Sequence, residues 1–225
     1  MAEAAATIAV SKVAQRAKAR GRGGIGSVSV FQDPTNNSPE LKFLDVSSTL
    51  TQAAGTTTAS AVTPLNLVAR GIDATQEIGR KVVMKSLYWL WEGGLAPTAT
   101  GFTPARLMIV YDKEANGVLP TVAAGLATDM MNQDNIVAQM NLNNRDRFIV
   151  LVDEIVETVG SAGPQGFMRK GYRKISLPMV FNATQTATVT AIQTGTIVAF
   201  IWGGGPLITA GLNTLLQTRI RFEDA

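Results

Sequence analysis

"RKVVMKSLYWLWE", residues 80–92, is the stretch on which the fold turns. It is rich in Val, Leu, Tyr and Trp, side chains that suit a pleated, half-buried surface, and it is bounded by Gly79 upstream and Gly93-Gly94 downstream. Read as a strand, it is the longest of a series. Upstream lies "ELKFLDVS" (40–47); downstream comes "ARLMIVYD" (105–112), closed by Asp112 and followed by the turn signal Asn116-Gly117. "RFIVLVDEIVE" (147–157), "KGYRKISLP" (170–178), "ATVTAIQ" (187–193), "TIVAFIWG" (196–203) and "TLLQTRIRFED" (214–224) bring the candidates to eight, and 187–203 also reads as one long strand. The one helical pattern in this body is "TVAAGLATDMM" (121–131). Many short strands with almost no helix predict an all-β sandwich or jelly roll, and the absence of alternating βα units argues against a Rossmann-type or barrel enzyme. Two connections, 48–79 and 113–146, are too long for hairpins; loops of that length carry function or lie against a partner.

Charge divides the chain more sharply than its overall +3 suggests. Residues 1–24 hold Lys12, Arg16, Lys18, Arg20 and Arg22 against Glu3, a net of +4, whereas the other 201 residues hold fifteen basic and sixteen acidic side chains, a net of −1. Any attraction to a polyanion therefore starts at the N-terminus. Residues 4–20 are good helix formers, but Lys12, Arg16 and Arg20 recur at i, i+4, i+8, where like charges repel. Glycines 21, 23, 24 and 26 then end the segment. The expectation is a disordered basic arm over 1–26 and a single folded domain over 27–225. An organelle-targeting peptide, which shares the Arg/Ala composition, and an idle solvated tail are the competing readings of the arm.

The chain contains neither cysteine nor histidine. That removes disulfides, thiolate and histidine catalysis, Ser-His-Asp triads and the usual zinc, copper and non-haem iron sites. The remaining carboxylates do not form a catalytic pair. Asp153 and Glu154 are adjacent on a predicted strand and point to opposite faces, while Asp112 and Glu114 flank a turn. The reading is therefore a non-enzyme with no cofactor and no assigned metal, calcium between subunits being the one cation weighed. From Ile175 to Thr218 there is no charged residue, yet Gly203-Gly204-Gly205-Pro206 breaks the run. A strand buried on both faces explains it better than a membrane span of roughly 20 apolar residues.

Residues 65–93, "LNLVARGIDATQEIGRKVVMKSLYWLWEG", carry a resemblance. Leu65-Asn66, Gly71, Ile78-Gly79-Arg80-Lys81 and Lys85-Ser86-Leu87 match the segment that leads into an early strand in capsid proteins of circular, Rep-encoding single-stranded DNA viruses (CRESS-DNA viruses), the wider relatives of circoviruses. Glu77 departs from it, standing where a basic residue is often seen. "ARLMIVYDKEANGVLPT" (105–121), "NNRDRFIVLVDE" (143–154), "FMRKGYRKISLPMVFN" (167–182), "IQTGTIVAFIWGG" (192–204) and "TRIRFED" (218–224) are similar to later segments of that group, in the same order.

The resemblance implies one eight-stranded jelly roll of two packed antiparallel sheets. It further implies a homo-oligomeric T=1 icosahedral shell around a single-stranded DNA genome, located in the virion, with host nucleus a location during assembly. The uncharged 175–218 region and the two long connections are expected to supply subunit contacts. The arm residues Lys12, Arg16, Lys18, Arg20 and Arg22 take the place of the denser arginine tail of circoviruses, so they neutralise only part of a genome. Arg169, Lys170, Arg173 and Lys174 around Tyr172 are the next densest basic cluster, and genome contact and a solvated strand face stand as equal readings there. An RNA-virus or satellite coat protein would share the fold, since arm–phosphate contacts carry no sequence information. A jelly-roll carbohydrate-binding module would need an exposed aromatic platform, and Tyr88, Trp89 and Trp91 lie inside a predicted strand, where core packing is the simpler account. No receptor is indicated.

Overall fold

The computed structural model describes residues 41–52, 61–95, 101–122, 130–160, 166–182, 186–203 and 212–225. Eight strands build the body: β1 (Lys42–Gln52), β2 (Ala61–Pro64), β5 (Lys81–Leu95), β6 (Gly101–Asp112), β7 (Phe148–Gly160), β8 (Gly166–Phe181), β10 (Thr196–Gly203) and β11 (Leu212–Asp224). Three short ones, β3 (Ala69–Arg70), β4 (Gln76–Glu77) and β9 (Ile192–Thr194), decorate it. One sheet runs β1-β11-β5-β8-β9 and the other β2-β10-β6-β7. Among the eight, the first pairs with the last (β1–β11), the second with the seventh (β2–β10), the third with the sixth (β5–β8) and the fourth with the fifth (β6–β7), all antiparallel. Nested pairing of this kind is one long antiparallel ribbon wrapped on itself, with two further pairings, β11–β5 and β10–β6, completing the sheets. That wrapping is the jelly roll predicted from the sequence.

The two sheets bury different faces. On β11 the inward set is Leu212, Thr214, Leu216, Thr218, Ile220 and Phe222, the two-residue period of a half-buried strand. On β5 the phase changes: Val82 and Met84 are inward before Lys85, and Leu87, Trp89 and Trp91 after it, because the register slips between Met84 and Ser86. In the other sheet β10 is buried at all eight positions. Ile197, Ala199 and Ile201 join the core between the sheets, while Val198, Phe200 and Trp202 join a second core on the far side. That second core is roofed by the 113–146 connection, through Leu119, Val122, Met130, Met131, Ile136 and Ala138.

Four expectations change. Residues 187–193 are not a body strand: Val189–Ala191 is a 3-10 turn, and β9 is an edge strand of three residues. One continuous strand over 187–203 is excluded by Gly195, whose φ of +82° sets it between β9 and β10. The eighth body strand is instead β2, inside the polar 48–79 span. The described ends of 121–131 are not helical, and 123–129 lie outside the described residues. Finally, β10 is covered within the chain, so this part of the uncharged region offers no surface to a neighbour. No helix among the described residues is long and apolar enough to cross a membrane.

Paired charges and one buried amide fasten the joints. Arg147 at the start of β7 forks onto Asp112 at the end of β6 with both bonds at 2.7 Å, and Asp112 is fully buried. The carboxylate holds the guanidinium above its ordinary range, the hydrogen bond being the main cause. Arg106 on β6 forks onto Asp153 on β7 at 2.7 and 2.8 Å and donates to the carbonyls of Ile136 and Ala138, pinning the roof. Asn66 is wholly buried: its Nδ2 donates to the Gly195 carbonyl (3.1 Å), and its Oδ1 accepts from the Ile197 amide (2.9 Å) and the Thr196 hydroxyl (3.2 Å).

Candidate nucleic-acid interface

The arm residues Lys12, Arg16, Lys18, Arg20 and Arg22 lie outside the described residues. The second basic cluster lies on β8, and strand alternation divides it. Directly paired residues of an antiparallel sheet share a face. Arg169 pairs with Trp91 and Arg173 with Leu87, both core residues, so these two arginines are on the inner side of the sheet. Arg173 Nη1 donates to the carbonyls of Leu151 and Val150 on β7, tying the sheets together at their margin. Lys170 and Lys174 are on the outer side with Tyr172, and all three are exposed.

Register places these three in rows that run straight across four strands. The central row is Asp45, Arg219, Tyr88, Tyr172. On one side lies Phe43, Arg221, Ser86, Lys174, and on the other Ser47, Gln217, Leu90, Lys170. These three rows therefore carry four cations and one carboxylate, a net of +3. The carboxylate is already engaged: Arg219 forks onto Asp45 with both bonds at 2.7 Å and lies 5.0 Å over the Phe43 ring. The hydrogen bond from Arg219 chiefly holds Asp45 below its ordinary range. Lys170, Lys174 and Arg221 make no ion pair with any described residue.

A groove of about 690 Å³ follows these rows, lined by Ser86, Tyr88, Tyr172, Gln217, Arg219 and Arg221 among others. Tyr88 is 40% exposed and Tyr172 66%. Trp89 and Trp91, by contrast, are buried on the opposite face. The aromatic run thus splits, with the tryptophans in the core, as the sequence suggested, and the tyrosine outside it. Sequence reading missed Arg219, Arg221 and Tyr88 as neighbours of the β8 cluster. The signal was present in "TRIRFED", where Arg219 and Arg221 sit two apart on a strand that alternates strictly. What the sequence lacked was the pairing of β11 with β5.

Neither a protein-family model nor a curated protein matches the chain. Among solved structures, Desmodium yellow mottle tymovirus aligns at 13% identity over 88% of this chain and 95% of the other, with a TM-score of 0.25. Turnip yellow mosaic virus aligns at 12% identity over 89% of each, with a TM-score of 0.28. Macrobrachium rosenbergii nodavirus aligns at 7% identity over 89% of this chain and 59% of the other, with a TM-score of 0.26. Scores of this size carry no argument, and the jelly roll rests on the nested strand pairing of this chain.

Proposed function

We propose that the chain is a viral capsid protein without catalytic activity, closing into a T=1 icosahedral shell of about sixty subunits around a circular single-stranded DNA genome. In this reading residues 1–26 are the inward basic arm and 27–225 the shell domain.

One observation carries it: the stretches that resemble the capsid proteins of CRESS-DNA viruses meet one another at the joints of the jelly roll. Asp112 of "YDK" grips Arg147 of "NNRDRF". Lys85 of "KSL" lies 2.8 Å from Glu223 of the closing "RFED". Asn66 of "LN" is satisfied by Gly195, Thr196 and Ile197 of "IQTGTIV". Stretches far apart in sequence that share the likeness and also hold one another in place are what a common fold would leave behind.

Assembly is supported by exposed apolar side chains on the two long connections: Ile72, Ile78, Val118, Val137 and Leu142. Large apolar side chains left outside the core gain most from burial against another subunit. We assign the subunit contacts to these loops in place of β10.

The test is to express the full chain, separate particles by size-exclusion chromatography, image them, treat them with nuclease and sequence the protected contents. Closed particles holding single-stranded DNA are expected, and protected RNA would move the chain to an RNA-virus coat protein. Stable monomers across salt and pH would overturn the capsid reading. Deleting residues 1–24 should leave shells that package less, with the deficit growing at raised salt; unchanged packaging would remove the arm from the mechanism.

A further inference from the structure

The two outer faces of the sandwich are treated differently by the chain. The four-stranded sheet is roofed by its own connection, and its outward Val198, Phe200 and Trp202 are buried. The five-stranded sheet presents its tyrosines openly, together with cations that make no ion pair with any described residue. A face with two exposed aromatic rings, a net positive charge and its one central carboxylate already neutralised is built for an anionic ligand that also carries flat, stackable groups. Single-stranded nucleic acid is that ligand: phosphates need cations, and unpaired bases stack on aromatic rings whatever their sequence.

We propose that this face is a second nucleic-acid site, in which bases stack on Tyr88 and Tyr172 while the adjoining phosphates lie against Lys170, Lys174 and Arg221. The geometry fits this ligand in three respects. Tyr88 and Tyr172 are direct cross-strand partners, so their rings spring from neighbouring points of one row. Along β8, same-face positions recur every ~6.8 Å, so Tyr172 has an ammonium-bearing neighbour on each side, Lys170 and Lys174. Across the sheet, Arg221 and Lys174 flank the small Ser86, which leaves the row between them low enough for a strand to lie in. A duplex is disfavoured, because its bases are already stacked on one another and present no ring face to the tyrosines. The face also answers the arm's shortage of charge: it adds cations from the shell domain itself. The proposal rests on the packaging reading for its biological ligand, but not for its test.

That test uses the full-length chain and measures binding of a 20-nucleotide oligo(dT) and the matching oligo(rU) by fluorescence anisotropy over a salt series. Two variants are compared with wild type, each checked for an unchanged melting profile. Y88L/Y172L should bind both probes at least tenfold more weakly, since each stacked base contributes roughly a factor of 5 to 150 and two are lost, and keep the wild-type salt slope. K170Q/K174Q/R221Q should lower the slope of log K against log[salt] by about 2, three single-strand phosphate contacts at about 0.7 each. Should both variants match wild type in affinity and slope, the proposal is overturned whether or not the chain forms particles. Conversely, oligonucleotide binding with these signatures by a chain that never assembles would uphold the site and sink the capsid reading. Comparable losses on both probes mean the face accepts DNA and RNA alike; loss on one alone assigns its sugar preference. Photo-crosslinking of packaged particles adds an independent readout, with adducts expected on peptides containing Tyr88 or Tyr172, and adducts confined to residues 1–40 counting against the proposal.

Discussion

Gly171 and the indole of Trp89 occupy one space: a Cβ built on Gly171 would lie 2.0 Å from the Trp89 ring. The two are direct partners across β5 and β8, and Trp89 is buried. The glycine inside the basic cluster is therefore a packing residue, which lets a tryptophan reach the margin of the core beneath Lys170 and Tyr172. Gly171→Ala should destabilise the domain by about 1–3 kcal/mol, the usual cost of overpacking. Combining it with Trp89→Phe should give a loss smaller than the sum of the two single losses, because the smaller ring vacates the contested space. Additive losses in chemical denaturation would show that the two residues are not in conflict.

Arg106 should be costly to remove. Its side chain is buried, and it binds Asp153 and two carbonyls of the roof at once. Arg106→Met leaves those carbonyls without their donor, while Asp153, 39% exposed, keeps access to water. A loss of about 3 kcal/mol is expected, at the low end for breaking a buried pair. Limited proteolysis should show new cleavage within 130–140 before global unfolding. Cleavage unchanged from wild type would mean that the apolar contacts alone hold the roof.

Glu77, the residue that departs from the capsid pattern, gives a pH-dependent prediction. It is 2% exposed, and its Oε2 has no hydrogen-bond partner among the described residues. Burial raises its carboxyl above the ordinary range, opposed by Arg70, aided by Asp224 and opposed again by Lys42. The folded chain thus holds this proton more tightly than the unfolded chain. Its contribution is most favourable below the unfolded carboxylate value of about 4.3 and is lost as pH rises through the folded value. Glu77→Gln should match wild type near pH 4 and melt at a higher temperature at pH 7. A lower melting temperature at pH 7 would show that attraction to Arg70 and Lys42 outweighs burial.

Tyr111 makes the alkaline counterpart. Its hydroxyl donates to the Pro178 carbonyl on the facing sheet, and burial, with the Asp112 charge adding, pushes its pKa up to about 12. The contribution is intact below the unfolded tyrosine value of about 10 and is lost as pH rises through about 12. The ultraviolet difference titration of wild type against Tyr111→Phe should show its step there, and below pH 10 the variant should lose about 1 kcal/mol. A step near pH 10 would mean that water reaches the hydroxyl.

Much of the body could be read directly because its strands advertise one face. β11 alternates almost without fault, and β1, β6, β7 and β8 carry enough Val, Ile, Leu and Tyr to be placed within a few residues of their ends. β2 escaped because it has four residues, ends in Pro64 and lies at a sheet edge, where a proline costs no ladder bond. The 187–193 segment misled because Ala187, Val189 and Ala191, separated by Thr188 and Thr190, mimic alternation, while Gly195 turns the chain. The phase change at Lys85 is visible in "VVMKSLYWLW": inward residues fall at even numbers before it and odd numbers after. The site was harder. Lys170 and Lys174 stand out as a cluster, but their meeting with Arg221 depends on which strands lie side by side, and that order is a property of the whole wrapping.

The roof over β10 has a consequence for how the chain survives its own abundance. "TIVAFIWG" is eight residues without charge or proline, rich in β-branched and aromatic side chains, the composition that zips into intermolecular sheets when bared. A natural guard would be a charged residue on the strand itself, but both faces of β10 are committed to core. Residues 119–122 and 130–140 take over that duty from outside, held down by Arg106 and by Asp134, which accepts the Trp202 indole N–H at 2.9 Å. Loosening this cover would therefore surface first as precipitate at high expression, in chains whose sandwich is otherwise sound.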